Sequence, residues 1–249
     1  YPRAAEVLVA MGKAARPKGP GNDPNREVRR AVTTSLSIVQ QREGLDFLLD
    51  RALNDTDENI KNAAVKTLGR LRDPRPVEAL GKIYHEDNDR NRAWAIEALG
   101  EIGDPRAVPV VTEALDSHDK ITRGKAAWAL MQIEGPKAIA TLKAALARED
   151  NEMPAVVMAH ALAKLGEQAA VGNLDHYLLP AHNEFARAEA GRALADVGRC
   201  DSMLAVDRAF REDRDGLVKR EAGLAARKVL ERCSPEELKK AVEKSKTGS

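Results

Sequence analysis

The chain has 249 residues, 40 basic and 39 acidic, and a formal net charge of +1. Near-neutrality excludes a global field that would draw in nucleic acid or an anionic membrane, and no apolar run approaches the ~18 residues that a bilayer span requires. Aromatics are 3% and charged residues 32%; with Ala and Leu carrying the apolar content, this mix predicts thin helices packed through small side chains.

In chain order, the first predicted helix covers about residues 2–14. A Pro- and Gly-rich break, RPKGPGNDPN at 16–25, follows, and a second helix starts near residue 26. The break is roughly twice the length of the others. It reads as a flexible loop, the sharper alternative being an insertion that touches a partner. From there one pattern recurs: VRRAVTTSLSIV from Val28, IKNAAVKTLGRL from Ile60, NRAWAIEALGEI from Asn91, TRGKAAWALMQI from Thr122, PAVVMAHALAKL from Pro154, ARAEAGRALADV from Ala186 and VKREAGLAARKV from Val218. Successive starts differ by 32, 31, 31, 32, 32 and 32 residues. A fixed period in this range predicts stacked supersecondary units, each touching only its neighbours.

Each unit reads as helix A, a short turn and helix B. In the clearest copy Asp104 is an N-cap with Pro105 at the first helical position. Helix A then runs to Leu115, DSHD forms the turn, and helix B carries Ile121, Ala126, Leu130 and Ile133 at helical spacing. Asp73-Pro74 and Ser234-Pro235 repeat the starting device, and Ser234 with Glu237 forms a capping box. Gly69, Gly100 and Gly103 are expected to close helices in the left-handed conformation. No segment alternates with period two, so the chain is predicted to be all-α.

The unit DPRAVPVVTEAL…ALGEIGDPRA resembles the HEAT repeat, in the short variety shared with phycobilin lyase subunits. The resemblance covers residues 2–246 as seven helix pairs and a final half-repeat, SPEELKKAVEKSK. It implies a right-handed, armadillo-like α-solenoid in a single array over 1–246, with 247–249 read as a cloning scar. It also implies a ladder of acids six residues before a base on helix B: Asp23–Arg29, Asp55–Lys61, Glu86–Arg92 and Asp213–Lys219. Ser117–Arg123 keeps half of it, and the repeats around Ala155 and Arg187 are expected to lose it, softening the stack there.

Catalytic signatures are missing from the sequence: no phosphate-binding glycine loop, no H-E-x-x-H and no nucleophile elbow. DNDRN at Asp87 lacks the glycine and glutamate of a calcium loop. HEAT-type deoxyhypusine hydroxylases carry several His-Glu pairs, where this chain has His85-Glu86 alone. The turn acids Asp55, Asp57, Glu86, Asp87, Asp89, Asp116 and Asp119, with His85 and His118 among them, are read as caps and solvated charge rather than a metal site. No cofactor is expected. Cys200 and Cys233, one period apart, are read as unpaired thiols of a reducing, cytoplasmic setting, with a disulfide as the alternative. No signal peptide is visible, and the start at Tyr1 rather than Met is read as the loss of a preceding segment.

The family resemblance places helix B on the concave face. Within each twelve-residue block, positions 1, 5 and 9 are apolar and buried, so positions 4, 7 and 11 form the opposite row. Both tryptophans fall there, Trp94 and Trp128, one period plus one turn apart. Lys66, Arg70, Glu97, Glu101, Lys125, His160 and Arg192 share the row. A Trp pair ringed by charges has the composition of a binding hot spot; the bland alternative is a pair filling the seam between helices. The predicted function is a non-enzymatic scaffold that binds a protein or peptide on this face. The alternative is a HEAT-like nucleic-acid-binding protein resembling the DNA glycosylases of this fold, favoured by the aromatics and the basic stretch Arg3, Lys13, Arg16, Lys18, Arg26, Arg29 and Arg30, and disfavoured by the neutral total and the balanced row.

Overall fold

A computed structural model describes residues 4–14, 25–39 and 42–247. These residues form fifteen α-helices and five short 3-10 turns, with no strand among them. The chain divides into two compact units, Tyr1–Glu134 and Gly135–Ser249, each a stack of helix pairs. The first pairs α1 (Ala4–Ala14) with α2 (Arg26–Val39), α3 (Leu45–Asn54) with α4 (Glu58–Leu71), α5 (Val77–Glu86) with α6 (Asp89–Ile102), and α7 (Val108–Glu113) with α8 (Lys120–Glu134). The second pairs α9 (Ile139–Arg148) with α10 (Glu152–Lys164), α11 (Gln168–Tyr177) with α12 (Glu184–Val197), and α13 (Met203–Glu212) with α14 (Gly216–Arg232). It adds α15 (Pro235–Thr247) as a half-pair. Except for Asn25, the break at 16–25 lies outside the described residues. The helix expected to run unbroken from Pro105 to Leu115 is divided, with 3-10 turns at Pro105–Ala107 and Ala114–Asp116 flanking α7; Pro109, with no N–H to donate, interrupts its ladder.

The even-numbered helices start on a repeated device. Asp57, Asn88, Asp119, Asn151, Asn183 and Asp215 each accept backbone N–H groups of the first turn that follows, and each stands three residues ahead of its block. A short polar side chain here satisfies donors that a helix start leaves orphaned. The predicted caps hold elsewhere too: Asp104 accepts from the N–H of Arg106 at 2.8 Å, and Ser234 and Glu237 exchange the two bonds of a capping box.

Block positions 5 and 9 supply the core, including Leu36, Ala64, Leu68, Ala95, Leu99, Ala126 and Leu130 in the first unit, all at most 1% exposed. Within each unit the even-numbered helices pack closely on one another, through small residues. Gly103 closes α6 with φ 75°, as expected, but Gly69 and Gly100 do not close helices; Arg72, at φ 51°, takes that role after α4. Gly69 and Gly100 sit inside α4 and α6, where a Cβ would come within 2.8 Å of Ala98 Cα and 2.6 Å of Ala129 Cα respectively. They are glycine because the neighbouring backbone leaves no room for a methyl group.

The charged ladder has a different register from the predicted one. The base on an even-numbered helix pairs with an acid of the next repeat, 26 residues on: Arg29–Asp55 at 2.8 Å, Lys61–Asp87 at 3.3 Å and Arg187–Asp213 at 2.8 Å. Toward its own turn the base meets carbonyls instead, as Arg92 does with Asp87 and Arg123 with Ser117. Helix stacking brings the next turn to the tip of the side chain, whereas the acid six residues back points along its own cap. Asp23 lies outside the described residues. The repeat at Arg187 therefore carries a rung in this register, whereas the repeat at Ala155 has no base at the equivalent position.

Cys200 and Cys233 form a disulfide, with Cα atoms 5.8 Å apart, in place of the free thiols expected. Cys200 follows α12 and Cys233 caps α14. Two stacked helices set repeat-equivalent residues side by side, within the reach a disulfide requires. The thiol argument for a cytoplasmic setting is thereby removed. No described helix is long and apolar enough to cross a membrane.

Gly100→Val is expected to lower stability by about 1–3 kcal/mol in urea unfolding, because the added atoms meet backbone; an unchanged midpoint and slope contradict the close approach. Asp55 is 2% exposed and bonded by Arg29 and Arg51, so Asp55→Ala should cost about 3–5 kcal/mol by leaving buried guanidinium groups uncompensated. A loss under about 1 kcal/mol would show that water reaches them.

Candidate functional site

The row at block positions 4, 7 and 11 is intermediate or exposed nearly throughout, Glu221 alone being buried. In the first unit α6 carries Trp94 at its middle, half-buried between α4 and α8. Two ammonium groups stack on the indole: Lys66 Nζ of α4 lies 3.4 Å from the ring centroid and Lys125 Nζ of α8 lies 4.2 Å from it. Electron density on the ring faces attracts both cations. Lys125 also donates to Glu97 at 2.8 Å, one turn beyond Trp94. Trp128 is one turn past Lys125 on α8 and is likewise half-buried.

Burial pushes the Lys66 ammonium below its ordinary range, and Lys125, Arg70 and Arg90 push it the same way against Glu97. Burial raises the Glu101 carboxyl, and Glu97 adds to that rise against Arg70, Arg72 and Lys125. Glu101 reaches into the space vacated at Gly69, its Oε2 2.5 Å from where a Cβ would stand. Lys66, Trp94, Glu97 and Lys125 are thus in direct contact, with Arg70 and Glu101 near enough to act on them.

His160 and Arg192 belong to the second unit and to a network of its own. His160 Nε2 lies 3.0 Å from Asp196 Oδ2, which also accepts from Lys164 at 2.6 Å. Arg192 pairs with Glu189 at 2.6 Å and stands 3.8 Å from Glu221. Burial lowers the His160 imidazole, partly offset by its bond to Asp196.

An open groove of about 830 Å³ runs across the N-terminal halves of α4, α6 and α8. Trp94, Ala63 and Ala93 line it, with Lys66, Lys125 and three residues absent from the predicted row: Asn59, Arg90 and Ile121. Each stands four residues before a row member, so the i, i+4 rule extends the row by one turn. Ile121, expected in the core, is 58% exposed, since it shares that outward position with Asn59 and Arg90. Asn62, also on the groove, is 9% exposed and its amide oxygen has no partner; nothing in the sequence marks it.

Other expectations change as well. Within the basic N-terminal stretch, Arg26 pairs with Asp57, Arg29 with Asp55 and Arg30 with Glu27. Arg3, Arg16 and Lys18, and the side chain of Lys13, lie outside the described residues. The charge credited to nucleic acid is therefore paired where it is described, Arg26 and Arg29 across to the next repeat and Arg30 within α2. Among the turn acids, Asp57 and Asp119 cap helices, Asp55 and Asp87 form ladder rungs, and Asp89 meets His118 at 3.2 Å.

Stacked helix pairs with a repeated cap and seam, carrying a non-repeating outward row, define an α-solenoid repeat protein. A family model described as HEAT repeats matches residues 21–99 and 77–158, more than half of the chain, and the chain belongs to the HEAT-repeat family. Among solved structures it is similar to the complex of CpcE and CpcF of phycocyanin lyase from Nostoc sp. PCC7120. That match has 17% identity over 96% of this chain and 92% of that one, and a TM-score of 0.62. It is also similar to human deoxyhypusine hydroxylase, at 20% identity over 93% of this chain and 100% of that one, with a TM-score of 0.39. A designed armadillo-repeat protein matches at 16% identity over 74% of this chain and 99% of that one, with a TM-score of 0.43. No curated protein sequence matches.

In an NMR titration His160 is expected to titrate below 6.5, and Asp196→Asn should lower it further by removing the group that favours the charged ring. A His160 resonance titrating above 6.5 contradicts the burial of that ring.

Proposed function

We propose that this HEAT-repeat chain is a non-enzymatic scaffold that holds a partner protein or peptide on its even-numbered helices, with Trp94 and Trp128 as anchors. The observation that carries the reading is Trp94 itself: a half-buried indole on the floor of an open groove, fixed by Lys66 and Lys125. A side chain immobilised before the partner arrives loses little rotamer freedom on binding. Large aromatic surface at the centre of a patch is also where interface energy concentrates. A protein partner is consistent with the complex of two chains in the phycocyanin lyase structure.

The test is a quantitative capture from native lysate with wild type beside the Trp94→Ala/Trp128→Ala double variant, followed by titration of the retained protein. Loss of both indoles should weaken that partner by about 2–4 kcal/mol while the helical circular dichroism is unchanged. Equal affinity for the two baits would show that the working surface lies elsewhere.

A further inference from the structure

Asp175 stands in the second half of α11, where that helix meets the 3-10 turn at Cys200–Ser202 that opens the following pair. The buried aspartates elsewhere in the stack are each bonded by a guanidinium: Asp55 by Arg29 and Arg51, Asp73 by Arg75, and Asp213 by Arg187. Asp175 has no such partner among the described residues. Its Oδ1 is enclosed and bonded to nothing. Its Oδ2 accepts one long bond, 3.3 Å, from the hydroxyl of Ser202, a residue 1% exposed. The Ser202 oxygen in turn accepts from the N–H of Arg199 at 3.4 Å. The charge that acts on the carboxyl is Asp201 of the turn, of like sign, and α10, α12 and α13, which also pack on α11, bring none to bear on it. An enclosed carboxylate without a cation is costly. Burial accordingly pushes the Asp175 carboxyl up to about 6, against the Ser202 bond and with a further rise from Asp201.

We propose that Asp175 and Ser202 form an acid-closed latch between the α11–α12 pair and the α13–α14 pair. As a neutral acid Asp175 donates its own O–H to Ser202 Oγ and holds the turn. As a carboxylate it keeps one long bond and an enclosed negative charge, and the joint loosens. The turn carries Cys200 of the disulfide, and α15 rests on it, so the docking of the last helix follows the same proton. The folded-state value lies above the unfolded carboxyl value of about 3.9. The stabilisation by the neutral acid is therefore fully present below about 3.9 and is lost as pH rises through about 6. The latch lies apart from Trp94 and its groove, and it stands whether or not that face binds a partner.

The experiment compares the full, disulfide-intact chain with Asp175→Asn, which keeps the shape of the neutral acid and can donate to Ser202 at every pH. In urea unfolding the ratio of folding constants, variant over wild type, is expected to rise about tenfold between pH 5 and pH 8. Carbon-13 NMR of labelled aspartate is expected to show Asp175 titrating near 6, and Ser202→Ala, which removes the donor that favours the ionised form, should move that titration higher. Hydrogen exchange, corrected for its intrinsic pH dependence, locates the loosening. Peptides covering residues 198–204 and α15 should open more readily at pH 8 than at pH 5 in wild type, and equally at both in Asp175→Asn.

An Asp175 carboxyl titrating near 4 overturns the latch, as does a ratio of folding constants that stays flat from pH 5 to pH 8. A loss of protection at the turn that persists in Asp175→Asn also overturns it, by assigning the pH response to another group. If Asp175→Asn does not fold, the wild-type titration and its displacement in Ser202→Ala decide the question.

Discussion

The approach of α6 to α8, close enough that a methyl group on Gly100 would stand 2.6 Å from Ala129 Cα, governs most of what surrounds it. Helices this close leave space for glycine and alanine in the seam and little else. Larger side chains on the same helices are therefore turned either inward, to the leucines of block position 9, or outward, to the row that carries Trp94 and Trp128. The outward row is not a surface added to the stack; it is where bulk goes when the seam excludes it. Ala63 on α4 shows the consequence. Its small side chain stands at the repeat equivalent of Trp94 and Lys125 and leaves the groove open where an indole would fill it.

Close packing alone does not fix the register of one pair on the next, because a seam of small residues is nearly smooth. The charged ridge supplies what the seam lacks. Arg29 reaches Asp55 and Arg187 reaches Asp213 across one repeat, and Glu58 accepts from Asn88 and Asn91 of the following pair. A slip of one turn would strand buried charges, a cost that apolar contacts cannot offset. In the second unit the disulfide between Cys200 and Cys233 makes a covalent version of the same tie. The polar ridge is thus structural.

Much of the fold was legible because its signals are local. Period, apolar positions and Asx caps each reside within a dozen residues, and the helix pairs follow from them. What failed was inter-repeat. The ladder was paired within a repeat because sequence separation favours Asp55 with Lys61, whereas stacking puts Asp55 beside Arg29. Gly69 and Gly100 were read as helix ends since glycine most often marks one, and only the neighbouring helix explains them. Cys200 and Cys233 were one period apart, yet a period becomes a distance only when two repeats are known to stack in register. At the candidate site, Trp94 and Lys125 follow from spacing on a helix that the family resemblance places on the concave face. Arg90 and Ile121 obey the same spacing but lie just before the aligned blocks.

The repeat also explains how a periodic stack comes to carry a surface that does not repeat. Equivalent outward positions hold Asn59, Arg90 and Ile121; Ala63, Trp94 and Lys125; Lys66, Glu97 and Trp128. Inward positions hold nearly the same residue each time, as with Leu68, Leu99 and Leu130. Packing constrains the second set, since each leucine meets the same surroundings, whereas nothing in the stack constrains the first. Divergence is therefore free to accumulate where it does not cost stability, and it converts a periodic array into a surface with one direction. Lys66 and Arg70 on α4 stand at the positions that Glu97 and Glu101 hold on α6, so the sign of the row changes from one repeat to the next. Periodic packing supplies the rigidity of the site, and the departures from periodicity supply its information.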